Sequence, residues 1–129
     1  MYSFAQRSDT LVIDEPLYAH YLVNSKADHP GKNDVIASQE NDGEIVVRDI
    51  ILKDYDKEVV FMKQMTHHLI NIDESFMKKV VNVFLIRNPK LLISSLSQVI
   101  GNVTMRDTGI KRQYELYEKL ISQNLNPVV

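Results

Sequence analysis

The order in which two hydrophobic periods follow one another constrains this chain more than any single residue does. Short runs rich in β-branched and aromatic residues, at 11–14, 59–63 and 81–86, alternate with longer stretches of helical spacing. That alternation is the pattern of parallel strands joined by helices. Pro16 opens a helix through Leu17, Tyr18, Tyr21 and Leu22, and residues 24–32, with Pro30 and Gly31, read as a loop. Weaker helical patterns cover 34–39 and 43–52, and a helix is expected after each strand. After the run 81–86 come Arg87, then Asn88 as an N-cap and Pro89 at the first helical position, with Leu92, Leu96, Val99 and Ile100 on one stripe. Gly101 is expected to end that helix. Another helix carries Ile110, Tyr114, Tyr117, Leu120 and Ile121 against a polar side of Lys111, Arg112, Glu115 and Glu118.

The expected fold class is therefore α/β, a parallel sheet flanked by helices in three layers. Parallel sheets are covered on both faces, so three strands are few, and more sheet is expected than this chain supplies. Residues 2–7 read as the last turns of an uncapped helix, and Pro127-Val128-Val129 as the first residues of a strand. The expectation is a single, partial domain over residues 1–129. With 44% hydrophobic and 25% charged residues the composition is globular, and a chain of this size buries roughly two thirds of its unfolded surface. A formal charge of −2 leaves an anionic ligand to local donors and excludes a general nucleic-acid binder. The chain has no cysteine, hence no disulfide, thiolate metal site or cysteine nucleophile. Neither a signal peptide nor a membrane span is legible, so a cytoplasmic protein is the default.

Several residues could carry chemistry. Arg87 beside the free N–H groups of a helix start suits a phosphate or sulfate, and equally suits a surface carboxylate. Ser94, Ser95 and Ser97 lie in the same helix, and spacing alone does not choose among them. Lys63 ends its strand, where ligands gather in open α/β sheets, or is simply solvated. His67 and His68 follow; adjacent helical histidines point apart, no third ligand stands at a metal-like spacing, and no metal is expected. One of the pair is expected to pack and the other to face a cleft. Glu15 is either a general base or, with Asp14, a helix cap ahead of Pro16.

The segments MYSFAQRSDTLVIDEPLYAHYL, VVFMKQMTHHL and FLIRNPKLLISS, in this order and at these separations, resemble the sulfotransferase-like family of P-loop proteins. The likeness covers nearly the whole chain and is greatest to a branch sometimes fused to branched-chain aminotransferases. The resemblance implies a P-loop type sheet and sulfuryl transfer from 3′-phosphoadenosine-5′-phosphosulfate to a hydroxyl or amine of a small-molecule acceptor. By the same resemblance Arg87 and Ser95 hold the donor's 3′-phosphate, Glu15 is the base, and Lys63 with His67 or His68 resembles a lysine and histidine after a central strand. Here Gln64-Met65-Thr66 makes that last spacing longer than the family's. A fused or associated domain is also implied, and no membrane or nucleic-acid partner.

One departure stands out. The family's Gly- and Ser-rich loop for the 5′-phosphosulfate has no counterpart, since the chain holds four glycines and none before Gly31. The expected function is a sulfotransferase-type transferase in the complete domain, with this chain inactive alone. The alternative is a non-catalytic remnant that binds adenosine phosphates or a protein partner. Glu15, Lys63 and Arg87 each follow directly on a β-rich run, so all three are expected at one edge of the sheet.

Overall fold

The computed structural model describes residues 1–27, 29–100 and 102–129, and among these all side chains but that of Arg106. The chain divides into two compact units, Met1–Phe76 and Met77–Val129, each described by itself. The helix end expected at Gly101 lies outside the described residues.

In the first unit β1 (Thr10–Asp14) and β2 (Val59–Lys63) pair in parallel, in a register running from Thr10 opposite Val59 to Asp14 opposite Lys63. Both strands stand where the sequence places them. The helix α1 (Tyr2–Ala5) lies on this pair through Phe4, whose ring stacks on Phe61 at 4.0 Å between centroids. The crossover from β1 to β2 is helical, as parallel pairing demands. It comprises α2 (Tyr18–Asn24), α3 (Lys32–Ser38) and α4 (Gly43–Val46), which runs on into a wider π turn, Val47–Ile51. Asp42 caps α4 by accepting from the backbone N–H groups of Glu44 and Ile45 at 2.9 and 3.3 Å. Leu17, Ala19, Leu22 and Val46 are fully buried and form the core of this unit.

After β2 the sequence suggests a helix, and the structure has instead a single 3₁₀ turn, Thr66–His68. The reason lies in α2. His20, 5% exposed, donates from Nε2 to the carbonyl of Ile70 at 2.7 Å and accepts at Nδ1 from the Asn24 amide at 3.2 Å. This bond ties the backbone at Ile70, two residues past the turn, to α2.

The second unit is built on α5 (Pro89–Leu96), α6 (Met105–Thr108) and α7 (Ile110–Ser122). The expected cap is present, with the Asn88 side chain accepting from Lys90 N–H at 3.0 Å ahead of Pro89. The helix is shorter than its stripe suggests, ending at Leu96. Ser97 donates back to the carbonyl of Ser94 at 3.0 Å and Val99 N–H bonds Leu96 O at 2.9 Å, local bonds that compete with continuing the helix. On α7, Leu116 and Leu120 are each 2% exposed, and Tyr117 meets Phe84 edge-on at 5.7 Å.

Residues 81–86, expected as a strand, are extended but paired at one point only among the described residues of this unit. Val83 bridges Val128 in parallel, with Phe84 N–H to Val128 O at 2.8 Å and Val128 N–H to Asn82 O at 2.9 Å. Farther along, the Leu85 carbonyl accepts from the Gln113 side chain at 3.1 Å rather than from a strand. A strand is defined by its ladder, and one partner residue does not make one. The strand start expected at 127–129 is likewise reduced to this one bridge at Val128.

Gly43 tests the packing of α4 on α2. A Cβ added there would stand 2.8 Å from both Cε1 and Nδ1 of His20 and 3.0 Å from Cδ1 of Ile72. The imidazole is held at both nitrogens and has little room to yield. Gly43→Ala is expected to lower the unfolding free energy by about 1–3 kcal/mol, read as a shifted urea midpoint with an unchanged slope. A midpoint equal to or above that of the parent would show that the ring moves aside freely.

Candidate functional site

The carboxyl end of the sheet gathers the charged residues of the first unit. Because β1 and β2 run parallel, Asp14 and Lys63 are register partners at that end. Glu15 then takes a left-handed backbone with φ of 45°, which a residue with a Cβ adopts only where its surroundings over-determine it. The determinants are visible: Glu15 N–H donates to Lys63 O at 2.9 Å, and Glu15 O accepts from Tyr18 N–H at 2.9 Å, closing the turn that starts α2.

Strand residues in succession point to opposite faces, but the turn at Glu15 breaks the alternation. Both carboxylates reach one ammonium. Lys63 Nζ donates to Glu15 Oε1, and Asp14 Oδ1 stands 3.5 Å from the same nitrogen. Glu15 is 22% exposed against 57% for Asp14. Burial draws the Lys63 pKa down, and the Glu15 hydrogen bond, then the Glu15 and Asp14 charges, outweigh it and hold it above the usual value. Lys63 is thus a fixed positive charge here.

Beside this pair lies a cluster of aromatic and imidazole rings that sequence reasoning missed in part. Tyr18 and Tyr21, one turn apart on α2, stack on His68 with centroids at 5.3 and 4.8 Å. Their spacing of three is legible in the sequence and puts both on one helix face. Tyr18 also bonds through its hydroxyl to His29 Nδ1 at 2.8 Å. Burial, then the negative charge of Glu15, raises the Tyr18 pKa and keeps the phenol protonated. His67 meets Tyr21 edge-on at 5.1 Å and His68 at 4.7 Å. The histidine pair therefore divides as expected in burial, His68 being 1% exposed and His67 only part-buried. Both amide atoms of Gln64 and the Nδ1 of His68 are buried without a hydrogen-bond partner among the described residues. Among those residues no group of His, Cys, Asp and Glu side chains could hold a metal. An open hollow lined by Asp9, Tyr55, Asp56, Lys57 and Glu58 lies at the amino ends of the strands, away from these groups.

Arg87 and Ser95 belong to the second unit. Arg87 directly precedes the Asn88 cap, and among the described residues no carboxylate pairs with it. Ser95, exposed, lies seven residues beyond Asn88. Seven residues make about two helical turns, which aligns Ser95 with the start of α5 and turns Ser94 elsewhere. The structure therefore brings Glu15 and Lys63 together, places His67 in ring contact with Tyr21 and His68, and leaves Arg87 a guanidinium at a capped helix start.

Comparison with known proteins adds three findings. A family model described as a sulfotransferase domain matches residues 1–126. Two proteins of Arabidopsis thaliana, named branched-chain-amino-acid aminotransferase-like protein 2 and protein 1, are each 33% identical over 130 residues, which is 100% of this chain and 23% of theirs. The chain thus spans about a quarter of the length of these relatives. No solved structure matches the chain.

The ring cluster has a consequence for stability. Burial first, then the charges of His67, Lys63, His29 and His20, push the His68 pKa down to about 3. In the unfolded chain it would titrate near ~6.5. Between these values the unfolded chain binds a proton that the folded chain refuses, so the contribution of neutral His68 is complete above about pH 6.5 and is lost as the pH falls, by up to ~1.4 kcal/mol per unit. His68→Phe keeps the stacked ring and removes the proton site. Urea unfolding at about pH 5 and about pH 7 should show a smaller difference in the variant than in the parent; an unchanged difference would place the acid sensitivity elsewhere.

Proposed function

We propose, from the premise that this chain belongs to the sulfotransferase domain family, that it supplies the base and the 3′-phosphate contacts of a domain transferring a sulfuryl group. The donor of the proposal is 3′-phosphoadenosine-5′-phosphosulfate, the acceptor a hydroxyl or amine of a small molecule. The observation that carries it is the Glu15–Lys63 pair at the carboxyl ends of adjacent parallel strands. A carboxylate there, held by its own backbone turn, suits general-base work. An ammonium held in its charged form suits the negative charge that builds as the sulfuryl group departs.

In this reading Glu15 accepts the proton of the acceptor while the acceptor's lone pair forms the new bond to sulfur. The bond from sulfur to the bridging oxygen breaks, its electron pair stays on that oxygen, and Lys63 donates a hydrogen bond to the growing charge. His67, four residues after Lys63, takes a supporting catalytic role. Arg87 and Ser95 hold the 3′-phosphate: the guanidinium is a charge-assisted donor that pairs with no carboxylate among the described residues, and the Ser95 hydroxyl lines up with the helix start. The residues present fit the 3′-phosphate end of the donor.

Several finer points belong to the same proposal. The complete domain is a three-layer P-loop type sheet, and the loop for the phosphosulfate end comes from sequence outside these 129 residues, none of the glycines here standing before Gly31. A fused aminotransferase-like domain is suggested by the names of the Arabidopsis relatives, and a cytoplasmic setting by the fold family. None of the helices among the described residues is long and apolar enough to cross a membrane.

Two measurements test the reading. Arg87→Ala should weaken binding of adenosine 3′,5′-bisphosphate by roughly ten- to a hundred-fold, the loss of one charge-assisted hydrogen bond, and leave adenosine 5′-monophosphate almost unaffected. Equal losses for both nucleotides would argue against a 3′-phosphate contact. In the second, the 129-residue chain is assayed with labelled donor and a broad acceptor mixture beside a form extended by its encoded upstream strand and loop. Losing even one preorganised donor lowers the rate about a hundred- to a thousand-fold, so turnover is expected from the extended form alone. Comparable turnover by both would show that the chain needs no such loop.

A further inference from the structure

The second carboxylate on Lys63 has no part in the chemistry described so far. Asp14 is directly opposite Lys63 in the strand register, and its Oδ1 is 3.5 Å from the ammonium that Glu15 also holds. A regular strand would send Asp14 and Glu15 to opposite faces. The left-handed φ of 45° at Glu15 cancels that alternation, so strained backbone is maintained where two carboxylates converge on one cation. One carboxylate would suffice to pair a lysine.

The reaction proposed above gives the second one a use. When Glu15 takes the acceptor's proton it becomes neutral, and its hold on Lys63 falls from an ion pair to an ordinary hydrogen bond. At that moment Lys63 must remain at the strand edge, because charge is then building on the leaving oxygen. We propose that Asp14 is a positioning residue that retains the Lys63 ammonium at the edge of the sheet once Glu15 has been neutralised, leaving Lys63 free to turn its remaining N–H groups to the leaving phosphate. The proposal rests on the Glu15–Lys63 reading of the reaction. Asp14 itself touches no substrate; it acts through Lys63.

Glu15→Gln reproduces the neutral state of Glu15 without a substrate. In the extended form assayed above, Lys63 is labelled with a limiting amount of an amine-acylating reagent and quantified by peptide mass spectrometry. Lys63 in Glu15→Gln should label nearly as slowly as in the parent, because Asp14 still holds it, and several-fold faster in Glu15→Gln with Asp14→Asn. If Glu15→Gln alone accelerates labelling as much as the double variant does, Asp14 retains nothing and the proposal fails. A kinetic arm reads the catalytic consequence. Asp14→Asn should lower kcat by roughly ten- to a hundred-fold with the KM for acceptor unchanged, and Asp14→Glu should restore most of the loss. Asp14 is 57% exposed, so thermal melting of these variants should match the parent, which separates a positioning effect from unfolding. Parent turnover with an undiminished kcat in Asp14→Asn overturns the inference alone. No donor-dependent turnover in the parent overturns the underlying reaction as well.

Discussion

Parallel pairing of β1 with β2 is the constraint on which the first unit depends. Its register sets Asp14 against Lys63 and carries the ladder one residue farther, to Glu15 N–H on Lys63 O. From that last bond follow the left-handed turn at Glu15, the start of α2 and the convergence of two carboxylates on one lysine. A slip of one residue would exchange the faces of every strand side chain. It would take Lys63 away from Glu15 and part Phe61 from Phe4 at the same time. The site and the packing of α1 therefore stand on one set of backbone bonds.

The second dependency runs through α2, which carries residues for the core and residues beside the charged pair. Leu17, Ala19 and Leu22 are buried among apolar neighbours, while His20 fastens the segment after β2 through the Ile70 carbonyl. Tyr18 and Tyr21 give His68 the ring contacts that accompany its complete burial. A neutral imidazole buried so close to Lys63 adds no second positive charge to the edge of the sheet. That leaves the ion pair as the principal electrostatic feature there, in a protein whose formal net charge is only −2. A net charge that small spreads no strong field over the molecule.

Family membership and geometry meet at few residues, which makes the chemical reading economical. The sulfotransferase domain match covers 126 residues, yet the reading needs only a base, a fixed cation and a 3′-phosphate contact from this chain. Glu15 has a left-handed backbone, Lys63 is held charged by two carboxylates, and Arg87 precedes a capped helix start. Backbone strain such as that at Glu15 costs stability, and such costs gather at functional positions.

By itself the sequence determined the class of structure and where several of its elements begin. Two β-rich runs became β1 and β2, the Asn88-Pro89 pair became a capped helix start, and the spacing of three and four became α7, because caps, proline and hydrophobic period act over a few residues. It also marked Glu15 and Lys63 as strand-end residues of one edge. Only the tertiary structure decided what these residues touch. Residues 81–86 have every local property of a strand, but a strand exists through its partners, and one bridge at Val128 is what the second unit provides. The helix expected after β2 gave way to a bond from His20, fifty residues earlier in the chain. Glu15, which the sequence left open between a base and a helix cap, became a partner of Lys63 because an unfavourable φ there is enforced by bonds from a strand and a helix far apart in sequence from one another. Local propensity cannot encode such a turn, since its energy is unfavourable until the contacts that over-determine it are in place.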